Sequence, residues 1–105
     1  MEGLELIAFQ IIASAGTARS LFVEAVRLAK EGKFDEAESK ISEGDTAFVE
    51  GHKAHAQILS QSAQGENIVM DLLLTHAEDQ MMAAETYKMT ALDIIDLYKI
   101  VLKEV

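Results

Sequence analysis

Not one of the 105 residues is proline. Proline fixes φ, lacks an N–H and breaks helices, so a chain of this length without it is free to form long uninterrupted helices. Apolar residues then recur at helical spacing. Leu4, Ala8, Ile11, Ala15, Ala18, Phe22, Ala25 and Ala29 alternate steps of four and three, an apolar seam of the helix-packing type. Lys30-Glu31-Gly32-Lys33 ends it, with Gly32 suited to the left-handed C-terminal position and Lys30 to the negative end of the helix dipole. A second run carries Phe34, Ala37, Ile41, Phe48, Ile58 and Leu59 and stops at Gly65. A third extends from about Asn67 to Lys103 along Val69, Leu73, His76, Gln80, Ala83, Tyr87, Ile94, Leu97 and Val101. Gly16, Gly44 and Gly51 lie inside the first two patterns, each disfavouring helix by about 1 kcal/mol relative to Ala. Gly16 adjoins the Ala15/Ala18 seam, where a missing side chain suits a close helix approach.

These runs predict one all-α domain over residues 1–105, an up-down-up three-helix bundle with helices at about 3–31, 34–64 and 67–103. Each helix would be roughly 45 Å long, which leaves a thin core. A chain of this mass is expected to fold to a surface of about 5,800 Å². The third helix carries a second stripe, Ile68, Leu72, Thr75, Asp79, Met82, Thr86 and Met89. Either Met82 and Met89 widen the monomer core, or the stripe is spare and joins copies of the chain along the third helix; the second reading is preferred.

Charge narrows the partners. Nine basic and eighteen acidic residues give a formal charge of −9, which repels phosphate backbones and anionic lipid. Nucleic-acid and membrane-surface binding are therefore not expected. Cysteine is absent, so there is neither a disulfide framework nor a thiolate metal site. No apolar run approaches the roughly 20 residues of a membrane span, and Met1-Glu2-Gly3-Leu4 lacks the basic start of a signal peptide. The expectation is a soluble intracellular domain.

The dense polar cluster on the third helix is Thr75-His76-Ala77-Glu78-Asp79-Gln80. Asp79 and Gln80 stand three and four residues after His76 and share its face, while Glu78 points nearly opposite. A neutral imidazole keeps a free lone pair on one ring nitrogen and is a competent nucleophile without a helper base. Asp79 or Gln80 could accept the proton of the other nitrogen. The plainer reading of His76 is a satisfied core or interface residue. His52 and His55, three residues apart, could share a metal, but no further ligand accompanies them, and they read as a partly solvated turn. Ala15-Gly16-Thr17-Ala18-Arg19-Ser20 fits neither a P-loop nor a dinucleotide pattern. Glu36, Glu38, Glu43, Asp45 and Glu50 read as a solvated acidic face, and Tyr87 and Tyr98 as core.

Five segments then fit together. Leu72-Leu73-Leu74-Thr75-His76-Ala77-Glu78-Asp79-Gln80-Met81-Met82 is similar to a His-x-x-Asp-His-Leu-Met motif, and Ala15-Gly16-Thr17-Ala18-Arg19-Ser20 to Ala-Gly-x-Ala-Arg-Ser. Lys30 to Ala37, Glu50-Gly51-His52 and Leu97-Tyr98-Lys99 follow in the same order. Together they resemble the lactose/cellobiose class of IIA components of the bacterial phosphoenolpyruvate-dependent sugar phosphotransferase system, over nearly the whole chain. The resemblance implies a homotrimer with the third helices along the axis. It implies that His76 takes a phosphoryl group from the phosphorylated carrier HPr and passes it to a cysteine of the IIB component. It implies that Asp79, one from each of three subunits, holds a divalent metal, typically magnesium, in a structural role. A cytoplasmic carrier is implied, serving uptake of a disaccharide of the lactose, cellobiose or chitobiose type and meeting the membrane only through the IIC component. Two positions depart from the pattern. Gln80 stands where the family commonly has a second histidine, and Glu78 where it often has Gln. Gln80 can hydrogen-bond but cannot become a cation, which weakens stabilisation of an incoming phosphoryl group. The rival readings are a non-catalytic helical adaptor and a phosphorylation-state sensor that accepts phosphate but donates it poorly.

Overall fold

The computed structural model describes residues 2–103, with side chains from residue 3 onward, as three α-helices and no strand among them. They are α1 (Glu2–Lys30), α2 (Phe34–Ala63) and α3 (Leu72–Lys103), running up, down and up in a slab 57 × 21 × 16 Å. Both connections begin where the sequence places its glycines. Gly32 and Gly65 adopt φ of 80° and 93°, and the chain just past each turns back onto the preceding helix. The Lys33 N–H donates to Leu28 O (2.9 Å) and the Glu66 N–H to Gln61 O (3.1 Å), closing each helix with a Schellman motif.

α1 is the middle of the slab, packed by α2 on one side and α3 on the other, while α2 and α3 touch little. The reason is visible in the sequence of small residues. Ala37, Gly44 and Gly51 on α2, and Ala77, Ala84 and Ala91 on α3, repeat every seven residues and are buried. They present low stripes to the alanine seam of α1, so helix axes approach closely. The tightest point is Gly44, which lies against the ring of the fully buried Phe22, and Gly51 lies against Ser14. These two glycines are required by packing; Gly16, the expected site of close approach, faces open space instead. The Ser14 hydroxyl donates to Ala47 O, closing the same α1–α2 contact.

The expected α1 seam is buried from Ala8 to Ala29, with Ile7 joining it. Three other expectations need correction. Leu59 is exposed, and α2 uses Ala54 and Ile58 in its last turns. α3 begins at Leu72 and not at Asn67, because Asp71 is the residue that caps it: Asp71 Oδ1 accepts from the Leu74 N–H at 2.9 Å. The buried face of α3 is also rotated by one residue from the expected one. Leu74, Ala77, Met81, Ala84, Ala91 and Ile95 face inward, while Val69, Leu97 and Val101 are exposed. Apolar residues stand side by side along α3 (Leu72-Leu73-Leu74, Met81-Met82, Ile94-Ile95), so periodicity alone does not fix the phase. The alanine heptad does, because only that stripe lets α3 lie flush on α1. Tyr87 and Tyr98 are half-buried beside the core.

Two further differences follow from α1 being the middle layer. Over Gly3–Lys30 it is long and apolar enough, by length and composition, to cross a membrane, contrary to the expectation that no segment is. A helix covered on two sides is apolar around most of its circumference, which produces the same composition. The surface is 6640 Å², well above the roughly 5,800 Å² typical of this mass. The slab is long and thin, and one face of α3 is uncovered: Leu72 is 85% exposed, Met82 67% and Met89 66%. Met82 and Met89 therefore do not widen the core of the single chain.

Candidate functional site

The polar cluster lies in the first turns of α3. Leu74 and Ala77 anchor this end of the helix on α1, and their direction fixes the rest. His76 and Asp79 are turned outward and exposed, and Gln80 is half-buried. His76 does not replace a core apolar residue, as its place on the expected seam suggested; the rotated phase of α3 puts it at the surface. Leu72 and Leu73 flank it, and the three residues line a shallow apolar depression. Among the described residues, the side-chain hydrogen bonds include none from His76 to Asp79 or Gln80. The ring is thus open to an incoming macromolecule, with a lone pair that no side chain among the described residues occupies.

Glu78 behaves as its spacing suggests, leaving the opposite side of the helix. Its Oε1 lies 2.7 Å from His55 Nδ1 of α2, both side chains being largely buried. His55 is therefore a partner of Glu78 and not half of a metal pair. His52 packs edge-on against Phe48, centroids 4.7 Å apart, and the two histidines do not act together. Sequence reasoning missed the His55–Glu78 contact because the partners are 23 residues apart and no local pattern signals it. Two more rungs repeat it along the open α2–α3 side: Lys88 to Asp45 at 2.6 Å and Lys99 to Glu38 at 3.8 Å. Residue numbers fall on α2 as they rise on α3, the register of antiparallel helices.

Among the described residues, no group of three His, Cys, Asp or Glu converges to hold a metal. One chain offers the single carboxylate of Asp79, exposed and in no ion pair among these residues. Buried repulsion among several such carboxylates is relieved by a shared hard cation, so the donor chemistry fits a divalent ion only where copies of the chain meet.

Comparison with known proteins finds likeness along nearly the whole chain. The family described as "PTS system, Lactose/Cellobiose specific IIA subunit" matches residues 6–99. The lactose-specific EIIA component of Staphylococcus epidermidis is 36% identical over 96 residues, covering 91% of this chain and 92% of the relative. The oligo-beta-mannoside-specific EIIA component of Bacillus subtilis is 37% identical over 95 residues, covering 90% and 86%. The crystal structure of the cellobiose-specific enzyme IIA from Bacillus anthracis superposes with a TM-score of 0.94 at 37% identity, covering 97% of this chain and 94% of that one. A three-helix slab and likeness along nearly its full length place this chain in the lactose/cellobiose-specific IIA family of the phosphotransferase system.

Proposed function

We propose that His76 is the residue that carries phosphate: it accepts a phosphoryl group from phosphorylated HPr and gives it to a cysteine of a IIB component. The observation that carries this reading is the exposed imidazole in an apolar depression on α3, with no competing partner among the described residues. In the first step a ring nitrogen of His76 attacks phosphorus, forming the new N–P bond as the bond to HPr breaks. In the second, the IIB sulfur attacks, the S–P bond forms and the imidazole leaves with its lone pair restored. The transfer needs positioning and charge stabilisation more than covalent help from neighbours. Counting from Leu72, His76 stands in the second helical turn, beyond the first turn over which the helix dipole is strong. Gln80, half-buried one turn further on, is a hydrogen-bond donor to phosphate oxygen but adds no positive charge.

The uncovered face of α3 supports assembly as a homotrimer with α3 along the axis. Leu72, Met82 and Met89 recur on the stripe that holds Asp79, and all are exposed in the single chain. Three copies of Asp79 would then hold a divalent cation, with magnesium the expected ion, which relieves repulsion among the carboxylates. The setting we propose is cytoplasmic, in uptake of a disaccharide of the lactose, cellobiose or chitobiose type, with the membrane met only through a IIC component.

Incubation with phosphorylated HPr followed by intact-mass measurement should show one added phosphate, acid-labile and mapping to His76. Uptake by His76→Ala equal to that of the parent would refute the assignment and favour a helical adaptor. Phosphate accepted on His76 but retained in the presence of IIB would favour a sensor, with Gln80 as the residue that slows donation. Chelation should dissociate the parent trimer while leaving an Asp79→Leu trimer intact; a parent monomeric at micromolar concentration with magnesium present would remove both trimer and metal.

A further inference from the structure

We infer that His55 and Glu78 form a clasp that sets how α3 presents His76, so that both are positioning residues for phosphoryl transfer; this rests on the reading of His76 as the phosphorylated residue. His55 Nδ1 and Glu78 Oε1 are 2.7 Å apart, with side chains only 29% and 21% exposed. The contact joins two helices that otherwise touch little, at the level of the candidate nucleophile. Glu78 follows His76 by two residues, which puts the two side chains on nearly opposite sides of α3.

The start of α3 needs such a hold. Residues 66–71 before it have no regular structure, and its first turns are anchored by the buried Leu74, Ala77 and Met81 with the half-buried Ile68 and Leu73 beside them, all on the side that faces the core. Within one chain, a line of contact along α1 fixes the distance between the two helices but leaves α3 able to roll. A second contact, from Glu78 sideways to α2, removes that freedom. A roll of about 20° would move a group 5–6 Å from the helix axis by about 2 Å. Misplacing a reacting group by about 1 Å can slow a reaction by about a hundredfold. The other α2–α3 rungs, at Lys88 and Lys99, lie ten or more residues further along α3 and hold its middle and end. Within one chain, among the side-chain hydrogen bonds and ion pairs described between α2 and α3, that of His55 with Glu78 is the one that reaches the segment bearing His76.

The test is single-turnover phosphorylation by phosphorylated HPr. His55→Ala and Glu78→Ala should each lower the rate at saturating donor about tenfold, leave the half-saturating donor concentration unchanged, and speed amide hydrogen exchange over residues 73–80. The double variant should lose no more than either single, because both remove one contact. The pair His55→Gln with Glu78→Gln, an uncharged donor and acceptor spanning the same gap, should restore rate and protection. Parental rate and exchange in both single variants, additive losses, or failure of the Gln pair to rescue would each overturn the clasp while His76 remains labelled. Phosphate mapping away from His76 in the parent would overturn the reading of His76, and the inference with it.

Discussion

Replacing Gly44 by Ala tests why the helices pack as they do. A Cβ built at Gly44 would lie 2.8 Å from Phe22 Cδ1 and 3.0 Å from Cζ, and closer still to Cε1. Real carbon atoms do not approach so closely, and Phe22, fully buried in the middle helix, has nowhere to swing. Either α2 lifts from α1 or the ring leaves its rotamer. Overpacking of this kind costs about 1–3 kcal/mol, and the absence of slack places this site near the upper end. Alanine recovers about 1 kcal/mol through its better helix propensity. The net loss is about 2 kcal/mol, a fall in melting temperature of roughly 8–16 °C for a domain of this size. Urea unfolding followed by far-ultraviolet circular dichroism measures it, at one protein concentration because self-association shifts apparent stability. Gly16→Ala is the internal control: beyond the neighbouring backbone of its own helix no atom lies within 4 Å of its added methyl, so it should stabilise by up to about 1 kcal/mol. Adding Phe22→Leu to Gly44→Ala should recover part of the loss. Gly44→Ala as stable as the parent would refute the close approach of α1 and α2.

Two other substitutions read out local features. Asp71→Ala removes the acceptor of the Leu74 N–H and should destabilise by about 1 kcal/mol, with faster amide exchange in the first turn of α3; unchanged exchange there would argue against the cap. Lys88→Ala breaks the pair with Asp45, which is close at 2.6 Å yet partly exposed, so the loss should stay below about 1 kcal/mol and shrink in high salt. A larger, salt-independent loss in thermal melts would mean that the α2–α3 side is held by more than its ion pairs.

Sequence by itself determined the number, order and direction of the helices. Missing proline, two glycines at the turns and the alanine seam of α1 are local signals, and each acts through backbone geometry that neighbouring residues decide. The motif around His76 was legible in the same way, because spacing on a helix fixes which side chains share a face: Glu78 does leave the opposite side from His76. The phase of α3 was not legible. Three adjacent stripes are each apolar enough to bury, and only contact with α1 selects the one that carries Ala77, Ala84 and Ala91. That choice turns His76 from a core position to the surface and leaves Leu72, Met82 and Met89 uncovered. The value of Gly44 and Gly51 was likewise hidden, since a helix-weakening residue becomes favourable only when a ring or a hydroxyl on another helix occupies the space. His55 with Glu78 is the same case at the site: contacts between distant residues depend on how rigid helices are set against each other, which no local pattern encodes.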